Sequence, residues 1–141
     1  MLRNIPACIS PDLMHALMSM GHGDEIVLAD VDFPAVTFSK RLIRADGVQL
    51  TSLLEAILPF FPLDPFIDKP VLTMDPASWG GREPESYHRF REIIKQHDAK
   101  FEDFQLIKRF DFYDRAAKAY VVVVTGEPDG NLILKKGPVM M

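Results

Sequence analysis

A histidine between two glycines, His22, is the residue of this chain whose surroundings best suit acid–base chemistry. Gly21 and Gly23 remove side-chain bulk on both sides, so a ligand can approach the imidazole closely. Histidine is also the side chain that most readily gives or takes a proton near neutral pH. A simpler interpretation makes His22 a cap on the negative end of the preceding helix dipole. A metal pair with Asp24 is a third interpretation, but no further ligand has a spacing that completes such a site.

A second polar group, Arg109 to Tyr113 with Gly130-Asn131, could face His22 across a small site. Asp30 ends a predicted apolar strand, and ligands of open α/β sheets bind beyond the strand ends. A carboxylate there suits a sugar because it accepts hydrogen bonds from adjacent hydroxyls. Arg109, predicted to end another strand, offers a hydrogen-bond fork, and Tyr113, one helical turn later, offers a phenolic proton carrier. In the alternative interpretation the aromatic residues of this segment are core and Arg109 is their solvated neighbour.

The segment 126–131 joins the last two predicted strands. Its Asp129-Gly130 pair is typical of a hairpin turn, which by itself accounts for both residues. Asn131 begins the next strand and could direct its amide into the site. The chain contains neither GxxxxGK[ST] nor GxGxxG, so this turn is not a phosphate loop.

Composition limits the class of protein. The chain has 141 residues, of which 48% are hydrophobic and 26% charged, as in one globular domain spanning 1–141. A net charge of −4 and a pI near 5.5 argue against nucleic acid or an anionic membrane as a partner. Cys8 is the single cysteine, which excludes an intrachain disulfide. With no apolar stretch of membrane length and no secretory signal, we expect a cytoplasmic protein.

Hydrophobic spacing, with proline and glycine as punctuation, predicts helices interleaved with strands. Helices are expected after Ser10, from Thr51 or Ser52, and after Pro84, with one or two further helical turns over 111–118. Strands are expected at 25–30, 41–44, 71–74, 104–110, 120–125 and 132–135. This order predicts an α/β fold, a single-domain α/β sandwich with helices flanking one central sheet.

The apolar segment 57–66 contains several prolines, which hold it extended while its large side chains need cover. One interpretation is a buried loop that packs on the protein's own core. The other is an interface between subunits.

Taken together, these segments resemble the L-fucose mutarotase family, a branch of a wider group that includes D-ribose pyranase. The motifs that carry the resemblance follow one another along nearly the whole chain: Met20-Gly21-His22-Gly23-Asp24-Glu25, Ile43-Arg44-Ala45-Asp46-Gly47, Pro62-Leu63-Asp64, Arg109-Phe110, Val124-Thr125-Gly126-Glu127 and Gly130-Asn131-Leu132-Ile133. The resemblance implies an isomerase, free of cofactor and metal, that interconverts the α and β anomers of a monosaccharide such as L-fucose. It also implies a ring-like homo-oligomer, typically a decamer, with sites at the subunit interfaces.

The resemblance assigns roles to individual positions. The family's catalytic histidine falls on His22 and its catalytic tyrosine on Tyr113. Acid–base chemistry then makes His22 the proton donor to the ring oxygen of the sugar and Tyr113 the second proton-transfer group. The resemblance places substrate-binding residues at Asp30, Asp64, Arg109, Gly130 and Asn131, and we add Asp129 as an acceptor for one more hydroxyl.

At one position the chain departs from the family pattern. Members usually carry a tyrosine just before the Gly-Asn of the final turn, and Asp129 stands there instead. A short carboxylate cannot match the apolar burial of an aromatic ring. We therefore expect weak discrimination for the methyl group of L-fucose, with a related sugar such as L-galactose turned over at a comparable rate.

Three other functions are alternatives to the mutarotase. A pyranase would interconvert pyranose and furanose forms of a sugar such as D-ribose. A non-catalytic monosaccharide-binding regulator would keep the aspartates and Asn131 but would not need His22. A metal-dependent aldolase or isomerase would need a ligand set that the sequence does not contain.

Overall fold

A computed structural model describes all residues 1–141. The helices are α1 (Pro11–Ser19), α2 (Leu50–Ile57), α3 (Glu85–His97) and α4 (Arg109–Lys118). The strands are β1 (Glu25–Ala29), β2 (Leu42–Arg44), β3 (Val71–Met74), β4 (Gln105–Ile107), β5 (Val121–Val124) and β6 (Leu132–Lys135). A short 3-10 helix, Pro76–Ser78, follows β3. None of these helices has both the length and the apolarity needed to cross a membrane.

The strands form one mixed sheet in the order β2-β5-β1-β6-β3-β4. Strand β6 runs antiparallel to both of its neighbours, β1 and β3, and the remaining pairs are parallel. All strands except β6 therefore end at the same edge of the sheet, here called the carboxyl edge, where β6 begins. The opposite side, where those strands begin, is called the amino edge.

Helices cover both faces of the sheet, which confirms the predicted α/β class. Residues of α1, α2 and α3 pack on one face, against alternate positions of β1 such as Ile26 and Leu28. On the other face α4 packs Phe112 and Ala116 against Val27 and its neighbours. Alternation along β1 serves both layers because successive side chains of a strand point to opposite faces.

Local signals set most of the element boundaries. The Ser10 hydroxyl caps α1 by accepting the Leu13 N–H at 3.1 Å, as serine does at this position. The predicted bounds of α3, β3 and β6 agree with the structure. Strand β1 ends one residue before the end of the strand predicted at 25–30. Helix α2 begins at Leu50, just before the predicted start.

The predicted strand over 104–110 is wrong at its end. Strand β4 stops at Ile107, and Arg109 is the first residue of α4 instead of the last residue of a strand. The alternating aromatic residues Phe110 and Phe112 imitate a strand, but the buried pair is Phe112 and Ala116, which has helical spacing. Phe110 lies on the exposed side of the helix.

The hairpin interpretation of segment 126–131 is also wrong. Strands β5 and β6 are not neighbours, since β1 lies between them. The segment crosses the end of β1, where the Glu127 carbonyl accepts the Val31 N–H at 2.9 Å. Long-range pairing of β6 with β1 and β3 overrides the local turn signal, and it brings the connection onto Asp30.

Candidate active site

A cavity of about 430 Å³ opens at the carboxyl edge of the sheet. Six of the predicted site residues line it: Asp30, Arg109, Tyr113, Asp129, Gly130 and Asn131. Its other lining residues are Asp32, Phe33, Met74, Trp79, Tyr87 and Pro128. The cavity thus combines carboxylates, an amide, a guanidinium and phenols with aromatic surface, a set that suits a small polyhydroxylated ligand.

Asp30 is held rigidly at the floor of this cavity. Its Oδ2 accepts from the Gly130 N–H at 3.3 Å and from the Asn131 amide at 3.0 Å, and its Oδ1 accepts from the Asp32 N–H at 3.1 Å. A second hydrogen bond joins the same two residues, because Asn131 Oδ1 accepts the Asp30 N–H at 2.8 Å. A carboxylate has about four acceptor positions, so protein donors already occupy most of those on Asp30.

Burial raises the pKa of Asp30 above its ordinary value, the three hydrogen bonds oppose this rise, and nearby Asp129 adds to it. Burial likewise raises the pKa of the Asp129 carboxyl. Two acidic side chains whose pKa values are raised therefore face one small cavity. Perturbed carboxyl groups in a cleft are typical of functional sites.

Arg109 and Tyr113 face the cavity from the first turn of α4. Arg109 Nε donates to the Tyr113 hydroxyl at 2.9 Å. Because that oxygen accepts from a cation, its own proton is free to point elsewhere, and the guanidinium stabilises negative charge that develops on it. Ring packing fixes the phenol, with Tyr113 stacked on Phe38 and edge-on to Phe33.

Gly130 is the tightest point of the segment that carries Asp129 and Asn131. Its φ is +133°, and a Cβ there would lie 2.6 Å from the Ser86 hydroxyl and 2.9 Å from Phe90. The Ser86 hydroxyl donates to the Asp129 carbonyl, so α3 holds the segment from behind. Glycine is therefore required here by both conformation and space.

We expect the Gly130→Ala substitution to lower the free energy of unfolding by about 3 kcal/mol, because backbone strain and overpacking each cost roughly 1–3 kcal/mol. Urea unfolding at a fixed protein concentration measures the change. The matched control is Gly80→Ala, since a Cβ at Gly80 meets nothing within 4 Å. Equal stability of the two variants would contradict this account of Gly130.

His22 and Asp64 lie together at the amino edge. His22 Nε2 is 3.2 Å from Asp64 Oδ1, and the side chain of His22 is 48% exposed whereas that of Asp64 is 4% exposed. The turn forms as its residues predict, with the Gly21 N–H donating to the Asp24 carboxylate at 2.7 Å and a φ of +90° at Gly23. No group of three His, Cys, Asp or Glu side chains in the structure could hold a metal ion.

The Asp64 carboxylate is fixed on two sides. Its Oδ1 also accepts the Phe66 N–H at 3.0 Å. That bond and the contact with His22 lower the pKa of Asp64 below its ordinary value. The Phe66 ring lies beside the imidazole, with 5.6 Å between ring centroids.

Within one chain, the structure does not bring His22 to the cavity. His22 precedes β1 and Asp30 follows it, and five residues at about 3.3 Å each place the strand ends roughly 17 Å apart. The expectation that His22 faces Arg109, Tyr113 and Asn131 across a small site is therefore wrong for a single chain. The predicted residues form two separate groups at opposite edges of the sheet.

Two aromatic residues that line the cavity were not predicted as site residues from the sequence. Trp79 and Tyr87 belong to the loop after β3 and to α3, neither of which carried a site prediction. The one available signal was the single tryptophan of the chain, placed in a polar, glycine-rich loop. The remaining histidines, His15, His88 and His97, are exposed.

Comparisons with known proteins identify the family of this chain. A model described as "RbsD / FucU transport protein family" matches residues 3–139. A curated relative, the L-fucose mutarotase of Haemophilus influenzae strain PittEE, is 45% identical over 139 residues, which is 97% of this chain and 96% of the relative.

Two solved structures have the same fold over nearly their full lengths. The fucose mutarotase of Streptococcus pneumoniae, crystallised in complex with L-fucose, has a TM-score of 0.90 and 44% identity, and the match covers 99% of this chain and 100% of that one. FucU from Bifidobacterium longum has a TM-score of 0.91 and 39% identity, with 96% and 99% covered. With the family model and a 45% identical relative both spanning nearly the whole chain, the protein belongs to the RbsD / FucU family.

Proposed function

We propose that this protein is a cofactor-free sugar mutarotase that interconverts the anomers of L-fucose, an isomerase reaction. The observation that carries the proposal is the collection of a carboxylate, an amide, a guanidinium and a phenol around one cavity of about 430 Å³. The relatives named above support L-fucose as the sugar.

Mutarotation requires that the cyclic hemiacetal open and close again on the other face of the carbonyl. A base removes the proton of the anomeric hydroxyl while an acid protonates the ring oxygen, and the two exchange roles on closure. In our proposal His22 protonates the ring oxygen and Tyr113 is the second proton-transfer group, with Arg109 stabilising negative charge on its oxygen. Positioned groups of this kind accelerate proton transfer by roughly 10²–10⁴-fold.

The cavity residues differ in what they can offer to a sugar. Gly130 and Asn131 are hydrogen-bonded to Asp30, so these three residues form a rigid cluster with few acceptor positions left for the sugar. Asp129 has no side-chain partner and offers its carboxylate to a hydroxyl. Arg109 keeps donors beyond the one that it gives to Tyr113.

We propose that the site is completed by a second copy of the chain, whose His22 enters the cavity of the first. Each surface presents apolar side chains at the required place: Phe66 is 68% exposed beside His22, and Phe110 is 69% exposed next to Arg109. Two different surfaces of one chain joined in this way make a head-to-tail contact, which produces a closed ring when the rotation closes. The decamer implied by the family resemblance is consistent with such a ring.

The apolar segment 57–66 fits both interpretations that its sequence allowed. Phe61 and Leu63 are buried in the protein's own core, whereas Phe60 and Phe66 are exposed. The exposed members lie on the stretch that leads to and follows Asp64. We propose that they contribute to the contact between copies.

In this proposal Asp64 orients His22 and does not hold a sugar hydroxyl. Its carboxylate faces Nε2 and keeps a proton there, so Nδ1 is the nitrogen that faces the substrate. As the imidazolium, His22 gives the Nδ1 proton to the ring oxygen and becomes the neutral Nε2–H tautomer, which takes the proton back on closure. Burial of the Asp64 side chain supports this role, because a buried carboxylate has little surface to offer a ligand.

We expect Asp64→Asn to slow anomer exchange about 10- to 100-fold, the usual effect of removing the partner that orients a functional histidine. Exchange NMR gives the rate, and imidazole ¹⁵N shifts should show a weaker preference for the Nε2–H tautomer, because a neutral amide oxygen attracts that proton less than a carboxylate does. Asp68→Asn, at an exposed aspartate of the same loop, is the control. An unchanged tautomer with a reduced rate would assign Asp64 to substrate binding instead.

The pH dependence of this effect has a definite sign. The folded-state pKa of Asp64 lies below its ordinary value of 3.8, so its ionised form stabilises the fold above pH 3.8. That contribution is lost as the pH falls through the lower folded value. Asp64 is therefore ionised at any pH well above 3.8, and the rate difference between wild type and Asp64→Asn should persist over that whole range.

The alternatives are separated by direct measurements. Exchange spectroscopy on a panel of free sugars, with L-fucose and D-ribose included, identifies the substrate and shows whether anomers or ring sizes interconvert. A non-catalytic regulator would bind sugar equally with and without His22 and show no rate in either form. Metal analysis of the purified protein tests the metal-dependent aldolase.

A further inference from the structure

We propose that Trp79 is the aromatic platform of the cavity and a specificity-determining residue for sugars with one apolar face. This inference rests on the proposed function. It concerns a residue in the loop between β3 and α3, away from the segment where the family's usual tyrosine is replaced by Asp129.

Four aromatic residues line the cavity, and Trp79 is the most exposed of them. Tyr87 and Phe33 are buried. Tyr113 is stacked on Phe38 at a centroid distance of 5.2 Å, and Arg109 lies 5.5 Å from its ring centre. Trp79 is 37% exposed and packs against no other aromatic ring.

The loop that carries Trp79 is held in place by its own hydrogen bonds. The Pro76 carbonyl accepts the Trp79 N–H at 3.2 Å and the Gly80 N–H at 3.0 Å. The Asp75 side chain caps the short 3-10 helix by accepting the Ala77 N–H at 3.0 Å. An aromatic ring on a pinned loop loses little conformational freedom when a ligand stacks on it.

The same loop is tied to the catalytic side of the cavity. The Ser78 hydroxyl donates to the Asp75 carbonyl at 2.7 Å and accepts the Arg109 N–H at 3.0 Å. Trp79 is therefore positioned relative to Arg109 through one intervening residue. A sugar stacked on Trp79 would present its polar edge to Arg109 and Tyr113.

The chemistry of the sugar agrees with this placement. L-fucose and L-galactose share an axial C4 hydroxyl, which leaves C–H groups at C3, C4 and C5 clustered on the opposite face. Tryptophan offers the largest apolar ring for such a patch. Trp79 thus supplies apolar surface that Asp129 cannot, and it does not distinguish the two sugars, because the patch is common to both.

The first test uses Trp79 as its own reporter, since the chain has one tryptophan. Titration of the wild-type protein with L-fucose should change the intensity and shift the maximum of its intrinsic fluorescence, and L-galactose should do the same. The C4 epimer 6-deoxy-L-glucose, whose patch is interrupted, should need about tenfold more sugar for the same change, on the scale of one aromatic contact. Fluorescence that does not respond at saturating L-fucose would overturn the proposal.

The second test measures catalysis. Trp79→Ala should raise KM for L-fucose and L-galactose about tenfold each, with kcat changed much less, because stacking acts on ground state and transition state alike. Trp79→Phe, which keeps an aromatic face, should recover most of the affinity. Normal exchange in wild type with an unchanged KM in Trp79→Ala would refute the role of Trp79 and leave the mutarotase proposal standing. A fluorescence response in a protein that shows no anomer exchange would support sugar binding at Trp79 and refute the mutarotase proposal.

Discussion

Replacing His22 with alanine should slow anomer exchange by about 100-fold or more, the scale of one positioned acid–base group. The imidazole is half exposed at the amino edge and makes its one polar contact with Asp64. Its removal therefore leaves the core untouched, and the variant should fold normally. Exchange NMR on L-fucose, with circular dichroism as a check of the fold, measures both results.

The control for this variant is His15→Ala, because His15 is an exposed histidine on α1. It should exchange anomers at the wild-type rate. A properly folded His22→Ala protein with a near wild-type rate would reduce His22 to a helix cap, the simpler interpretation of its turn.

Two inactive variants should restore activity to each other when they share an assembly. Tyr113→Phe removes the phenolic hydroxyl but keeps the ring packing on Phe38, so we expect it to be as inactive as His22→Ala. If each site takes His22 from one chain and Tyr113 from the next, random mixing in equal amounts leaves about a quarter of the sites intact. Co-expressed or co-refolded mixtures should thus reach about a quarter of wild-type activity.

A site within one chain predicts no such recovery, because every chain of the mixture lacks one of the two groups. The same proteins mixed without reassembly are the control. Light scattering supplies an independent measurement, since the proposed contact requires a mass of two or more chains of 16.0 kDa. A monomeric mass at micromolar concentration would contradict the shared site.

Much of the fold was predictable because its boundaries depend on local signals. Ser10-Pro11 begins α1, Pro84 precedes α3, and β5 is a run of four valines. The predictions were wrong where one local pattern of residues is compatible with two kinds of secondary structure. Phe110 and Phe112 alternate as in a strand, yet burial of Phe112 with Ala116 favours a helix that begins at Arg109.

The site was predicted residue by residue but not in its assembly. Six predicted residues meet at one cavity, whereas His22 and Asp64 lie at the other edge. Strand β1 enforces this separation, because an extended chain between His22 and Asp30 cannot fold back on itself. Trp79 was missed because nothing in its local sequence shows that its loop reaches the end of β1.

By itself, the sequence determined the α/β class, the element order, the turn around His22 and the family resemblance, since these depend on spacing, capping and motif order along the chain. Only the tertiary structure decided which residues share a cavity. The deciding feature is β6, which inserts antiparallel between β1 and β3 and carries Gly130 and Asn131 onto Asp30. That pairing joins segments about one hundred residues apart along the chain, and no local turn signal specifies it.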